Sequence, residues 1–186
     1  MYLRRCIMKK LWLFLAGSVC SFFGGGCMTP STEGIPAVLC FDAGKYCGVW
    51  YEIARLPNWF EKGMTNVKAH YSLAPDGTLK VVNSGLRRGK SKNITGRAWF
   101  TTRPEVGCLK VQFFFPFSGL YKIICLDKEY SVAVVTGGDY SQLWILARKP
   151  QISQELLIKL VQYVTALGYE SDKLIFTEQK WQKSVQ

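Results

Sequence analysis

Few side chains in this sequence are placed for covalent chemistry. His70 is the only histidine, and it alternates with Ala69 and Tyr71 inside the segment 67–73, whose period of two marks a strand. No Gly-x-Ser-x-Gly elbow, phosphate-binding glycine loop or cluster of metal ligands accompanies it, so the residues argue against an enzyme, a metal and a cofactor. Non-covalent recognition is better supplied: six Trp, nine Tyr and eleven Phe stand among 24 Lys and Arg. Arg87, Arg88, Lys90 and Lys92 form one basic cluster, which suits an anionic head group and reads equally well as a solvated loop. Beyond Cys27 the thiols are Cys40, Cys47, Cys108 and Cys125, which allow three full pairings. Cys108 with Cys125 is the first expected bridge, Cys40 with Cys47 its complement, and buried free thiols the alternative.

Strands must hold these residues. Segment 48–55 carries Trp, Tyr and Ile among smaller residues, as a half-buried strand does, whereas 143–148 is apolar at nearly every position and should be covered on both faces. Between them the same grammar marks 67–73, 79–83, 94–101, 109–115, 120–126 and 130–136, separated by turns such as Pro75-Asp76-Gly77. Eight sequential antiparallel strands with short connections are the number at which a sheet closes around side chains or one small ligand. The expected fold class is therefore all-β, an eight-stranded antiparallel up-and-down β-barrel. One helix follows at 153–167, with Ser153 as N-cap, Ile152 and Leu157 as a hydrophobic staple and Gly168 to end it. Leu156, Leu157, Leu160, Val161, Val164 and Leu167 share a face that must dock on the outside of the sheet. A short strand at 173–177 completes a domain of residues 41–180, and 181–186 form a tail.

The first 26 residues hold Arg4, Arg5, Lys9 and Lys10 and no acid, and 11–23 is an uncharged, largely apolar run. That is the shape of a secretory signal. Gly24-Gly25-Gly26 before Cys27 resembles a bacterial lipoprotein signal, in which Cys27 is acylated and becomes the mature N-terminus. Such signals usually carry Leu where this chain has Gly24, and an uncleaved membrane anchor is the alternative. Residues 27–40 read as a linker, so the domain is expected outside the cytoplasm and tethered to a membrane. A chain beginning at Cys27 keeps 20 basic and 13 acidic side chains, a net charge of +7. That balance favours anionic partners, while no recognition signature supports nucleic acid.

Gly48-Val49-Trp50-Tyr51-Glu52-Ile53-Ala54-Arg55 on the first strand, Leu143-Trp144-Ile145-Leu146-Ala147-Arg148 on the eighth and a helix after it resemble the lipocalin family. The likeness is nearest to its bacterial outer-membrane branch and to the apolipoprotein D branch, and it covers 41–179. It implies that Gly48, Trp50 and Arg148 build the barrel floor, with Arg148 across the Trp50 ring in a cation–π contact worth about 0.5–2 kcal/mol. It also implies an outer-membrane lipoprotein of the cell envelope, facing the periplasm and carrying a fatty acid or a lysophospholipid. An envelope scaffold for a protein partner is the alternative, and a homodimer is left open. The sequence departs from the family after the seventh strand, where Thr-Asp is replaced by Thr136-Gly137-Gly138-Asp139.

With Trp50 as floor, the connections sort by end. Loops 56–66, 86–93, 115–119 and 137–142 fall at the open mouth with a net charge of +3, and turns 75–77, 103–107 and 127–129 fall at the closed end with −2. Trp59, Phe60, Phe115, Phe117 and Tyr140 join the basic residues at the mouth, a combination suited to an anionic membrane surface or an amphiphile head. Tyr71, Phe100, Phe113, Tyr121 and Trp144 are the expected cavity lining, with Arg87 and Arg88 at the head group. Ordinary barrel core is the alternative for every lining residue.

Overall fold

The computed structural model describes residues 31–180; the expected signal peptide, the expected acylation of Cys27 and the 181–186 tail lie outside the described residues. Eight strands run in order: β1 (Gly48–Arg55), β2 (Met64–Leu73), β3 (Leu79–Arg87), β4 (Lys90–Phe100), β5 (Cys108–Phe114), β6 (Phe117–Leu126), β7 (Val132–Thr136) and β8 (Leu143–Ala147). Each pairs antiparallel with the next, β8 pairs back onto β1, and the β1–β2 ladder closes the barrel. A four-residue helix, α1 (Ala43–Tyr46), precedes β1 at the closed end, and α2 (Gln154–Ala166) follows β8.

Two apolar layers result. Inside the barrel, Trp50, Tyr71, Leu79, Val81, Leu109, Ile123, Val135 and Leu146 pack with Phe41 and Tyr46. On the outside, Leu160 and Val164 of α2 pack against Ile53, Val134, Leu143 and Ile145, so β8 is covered on both faces. The helix starts where Ser153 accepts from the Leu156 N–H. It ends at Gly168, whose φ of +93° lets the chain turn left-handed while its N–H meets the Thr165 carbonyl.

The backbone departs from the sequence reading in the β3–β4 connection, the linker and the final strand. The basic cluster expected in a loop at 86–93 lies on a tight hairpin, because β3 and β4 stay in register out to Arg87 and Lys90. Arg88 and Gly89 both take positive φ, the backbone that suits the twist of a two-residue turn. The expected linker is part of the domain from Ser31 onward: Ile35 and Thr32 are buried, the Val38 N–H bonds the Ile123 carbonyl, and the Lys122 Nζ donates to the Thr32 and Ile35 carbonyls at 2.6 and 2.8 Å. The final strand, β9, is only Ile175–Phe176, and it pairs with Ala54 and Arg55 where β1 and β2 have separated. Beyond it, Asn66 N–H meets the Glu178 carbonyl, and Gln179 Nε2 bridges the Glu52 and Val67 carbonyls at 2.8 Å each. The C-terminal segment thus fills the upper half of the β1–β2 seam.

The expected Cys108–Cys125 bridge is not formed. Cys108 stands opposite Lys122, three residues from Cys125, an offset of about 10 Å along a strand that exceeds the reach of a disulfide. Cys40, Cys47 and Cys108 are free thiols, so the Cys40–Cys47 complement is absent too.

Candidate ligand cavity and its two ends

At the closed end Trp50 is fully buried, and the Arg148 guanidinium lies 4.1 Å from its ring centroid. The Trp50 indole N–H donates to the Tyr46 carbonyl at 2.8 Å. Arg148 donates to the carbonyls of Tyr130, Val49, Lys45, Tyr46 and Cys47 at 2.7–3.2 Å, so it ties α1 and β1 together from below. Gly48 explains its own identity: its φ is +101°, and a Cβ there would come 3.1 Å from Arg148 Nη1.

Above the floor, the Tyr121 hydroxyl meets those of Tyr46 and Tyr71 at 2.7 and 2.8 Å. Burial is the main reason all three phenols are pushed up, Tyr71 to about 12, so the group stays neutral at any physiological pH. Tyr71 belongs to the interior layer, with Phe100, Phe113, Tyr121 and Trp144 partly buried against it. Gly96 on β4 makes room for Phe113: a Cβ there would come 2.6 Å from the Phe113 ring. Arg87 is the last residue of β3, two inward steps above Asn83, whereas Arg88 is exposed at the hairpin tip.

The upper half holds a polar group that the sequence reading missed. Arg55 and Glu52 are each 2% exposed and joined at 2.5 Å, with the Glu61 carboxylate 3.8 Å from Arg55 Nε. Glu61 comes from the loop over the mouth, where Asn58 Nδ2 and the Trp144 indole N–H donate to its Oε2 at 2.5 and 3.1 Å. Phe60 of the same loop sits over Trp144, ring centroids 6.4 Å apart. Arg55 reaches the interior through a bulge: β1 pairs Glu52 with Leu146 but Arg55 with Trp144, so one residue is extra between them. Burial, then the neighbouring Glu61, pushes the Glu52 carboxyl up to about 7 against the pull of Arg55. Around the mouth, Trp59, Phe114, Phe115 and Phe117 are exposed, Phe115 by 89%. Among the described residues no cluster of three His, Cys, Asp or Glu is arranged to hold a metal.

A family profile described as a lipocalin-like domain matches residues 41–179. The outer membrane lipoprotein Blc of Escherichia coli K12 is 41% identical over 173 residues, which span 91% of this chain and 98% of that protein. Apolipoprotein D of Bos taurus is 34% identical over 175 residues, covering 90% of this chain and 89% of the relative. Among solved structures, insecticyanin from the tobacco hornworm Manduca sexta shares the fold with a TM-score of 0.66 at 17% identity, over 81% of this chain and 86% of that one. Strand order, the Trp50–Arg148 floor and these matches agree, and the chain belongs to the lipocalin family.

Proposed function

We propose that this protein carries or stores a lipophilic molecule, a fatty acid or a lysophospholipid, in its barrel. In this reading it is held at the outer membrane by a lipid on Cys27 and faces the periplasm. The observation that carries the reading is the polarity of the barrel, shut below by Trp50 and Arg148, aromatic within, and basic and aromatic around the opposite rim. Tyr71, Phe100, Phe113, Tyr121 and Trp144 line the path of the acyl chain, and Arg87 and Arg88 stand at the head-group end. The likeness to proteins named outer membrane lipoprotein supports the location. Exposed Trp59, Phe114, Phe115 and Phe117, with Lys62, Arg88 and Lys90 between them, suit exchange with an anionic membrane face.

Native mass spectrometry of delipidated protein, titrated with palmitate and with a palmitoyl lysophospholipid, tests this. The expected result is a one-to-one adduct for which the two compete, with the apo spectrum giving the protomer count. A folded barrel that takes up neither lipid instead favours a scaffold for a protein partner.

A further inference from the structure

We propose that Arg55 and Arg87, beneath the 56–63 loop, form an anion-binding subsite inside the barrel that takes the carboxylate or phosphate head of a single-chain amphiphile. The proposal rests on the reading of the barrel as the ligand cavity.

Three polar atoms are buried without a hydrogen-bond partner among the described residues: Arg55 Nε, Arg87 Nε and Asn83 Oδ1. Buried polar groups are nearly always paired, so each calls for an explanation. All three belong to inward-facing positions in the upper half of the barrel. Arg55 lies opposite Trp144, while Asn83 and Arg87 continue the inward face of Leu79 and Val81 along an unbroken β3–β4 register.

The two guanidinium groups also bind one loop. Arg55 Nη2 donates to the Glu61 carbonyl at 2.9 Å and Arg87 Nη2 donates to the Phe60 carbonyl, so both reach successive carbonyls of one loop. Each retains an Nε–H without a hydrogen bond, that of Arg55 at 3.8 Å from the Glu61 carboxylate, and guanidinium donors of this kind suit the oxygens of a carboxylate or phosphate. Asn83 Oδ1 is an acceptor, and a water or hydroxyl of the head group meets it.

Charge makes the site selective. Arg55 faces Glu52 from β1 and Glu61 from the loop, with Thr177 and Gln179 of the C-terminal segment and Trp144 of β8 as neutral neighbours, and Arg87 binds the same loop at the Phe60 carbonyl. The high proton affinity of Glu52 leaves two guanidinium charges against the single carboxylate of Glu61 whenever Glu52 is protonated. One anionic head then restores neutrality.

Isothermal titration of delipidated protein with palmitate, hexadecyl phosphate and hexadecanol separates head from chain. The expected result is at least about tenfold tighter binding of either anion than of the alcohol, with the tighter anion naming the natural head. Arg87→Gln should remove most of that advantage, weakening anion binding far more than hexadecanol binding, while Arg97→Gln, exposed at the closed end, alters none of the three. Equal affinity of unaltered protein for all three ligands, or an equal loss for anion and alcohol in Arg87→Gln, overturns the subsite while the cavity reading stands. Failure of all three to bind overturns both.

Discussion

Each end of the barrel sets an inward arginine near a tryptophan, and the two arginines are given different partners. Arg148 at the floor stacks on Trp50 and binds five backbone carbonyls, acceptors that neither titrate nor swing away. Arg55 below the mouth binds the Glu52 carboxylate, the Thr177 hydroxyl and a carbonyl of the loop, and keeps one buried N–H unused. Of these partners Glu52 takes a proton near neutral pH, and the carbonyl belongs to the loop over the mouth. The floor is therefore built as a fixed closure and the mouth as a set of exchangeable contacts. That difference is what a container with one opening requires.

Breaking the floor should have the largest effect. Trp50→Ala removes a fully buried ring and the support under Arg148, and should cost about 3–5 kcal/mol in denaturant unfolding. Gly48→Ala puts a side chain at positive φ against Arg148 and should cost about 1–3 kcal/mol in the same measurement. If both substitutions prove mild, the fixed-floor account fails.

At the mouth the comparison sharpens through pH. Glu52 has a folded-state affinity for protons raised above that of an unfolded carboxyl, to about 7. The ionised form is the one burial disfavours, so its contribution to stability is fully favourable below the unfolded value and is lost as pH rises toward 7. Glu52→Gln should therefore unfold at higher denaturant concentration than the parent at pH 8, with the gap closing by pH 5. A gap that grows toward pH 5 would contradict the sign. The smallest expected effect on folding is at the rim, where Phe115→Ser should change stability by less than about 0.5 kcal/mol yet lower the fraction bound to anionic vesicles in a flotation assay.

The floor could be read from the amino acids because its parts are local and their period is regular. Trp50 lies on β1 and Arg148 directly follows β8, where the alternation is simple, and Leu143 and Ile145 reach α2 as a doubly apolar strand must. The mouth could not be read in this way. Regular alternation from Trp50 would send Ala54 inward and Arg55 to solvent, and the bulge after Glu52 reverses both. Counting Glu61 as a rim charge failed for a related reason: it is 7% exposed, folded down among Asn58, Arg55 and Trp144, contacts set by tertiary structure. The Cys108–Cys125 bridge failed because strand register decides which residues face each other, and spacing in the sequence does not give the register.

Nuclear magnetic resonance with spin-labelled stearates tests the central claim most directly, since a nitroxide broadens only the resonances near it. With the label at carbon 16, the account predicts broadening of the Trp50 indole N–H and of the Ala69 amide. With the label at carbon 5, broadening should move to the Trp144 indole. Broadening of Trp50 by the carbon-5 label but not by the carbon-16 label, or of neither tryptophan by either, would contradict a barrel that takes its ligand chain-first onto a closed floor.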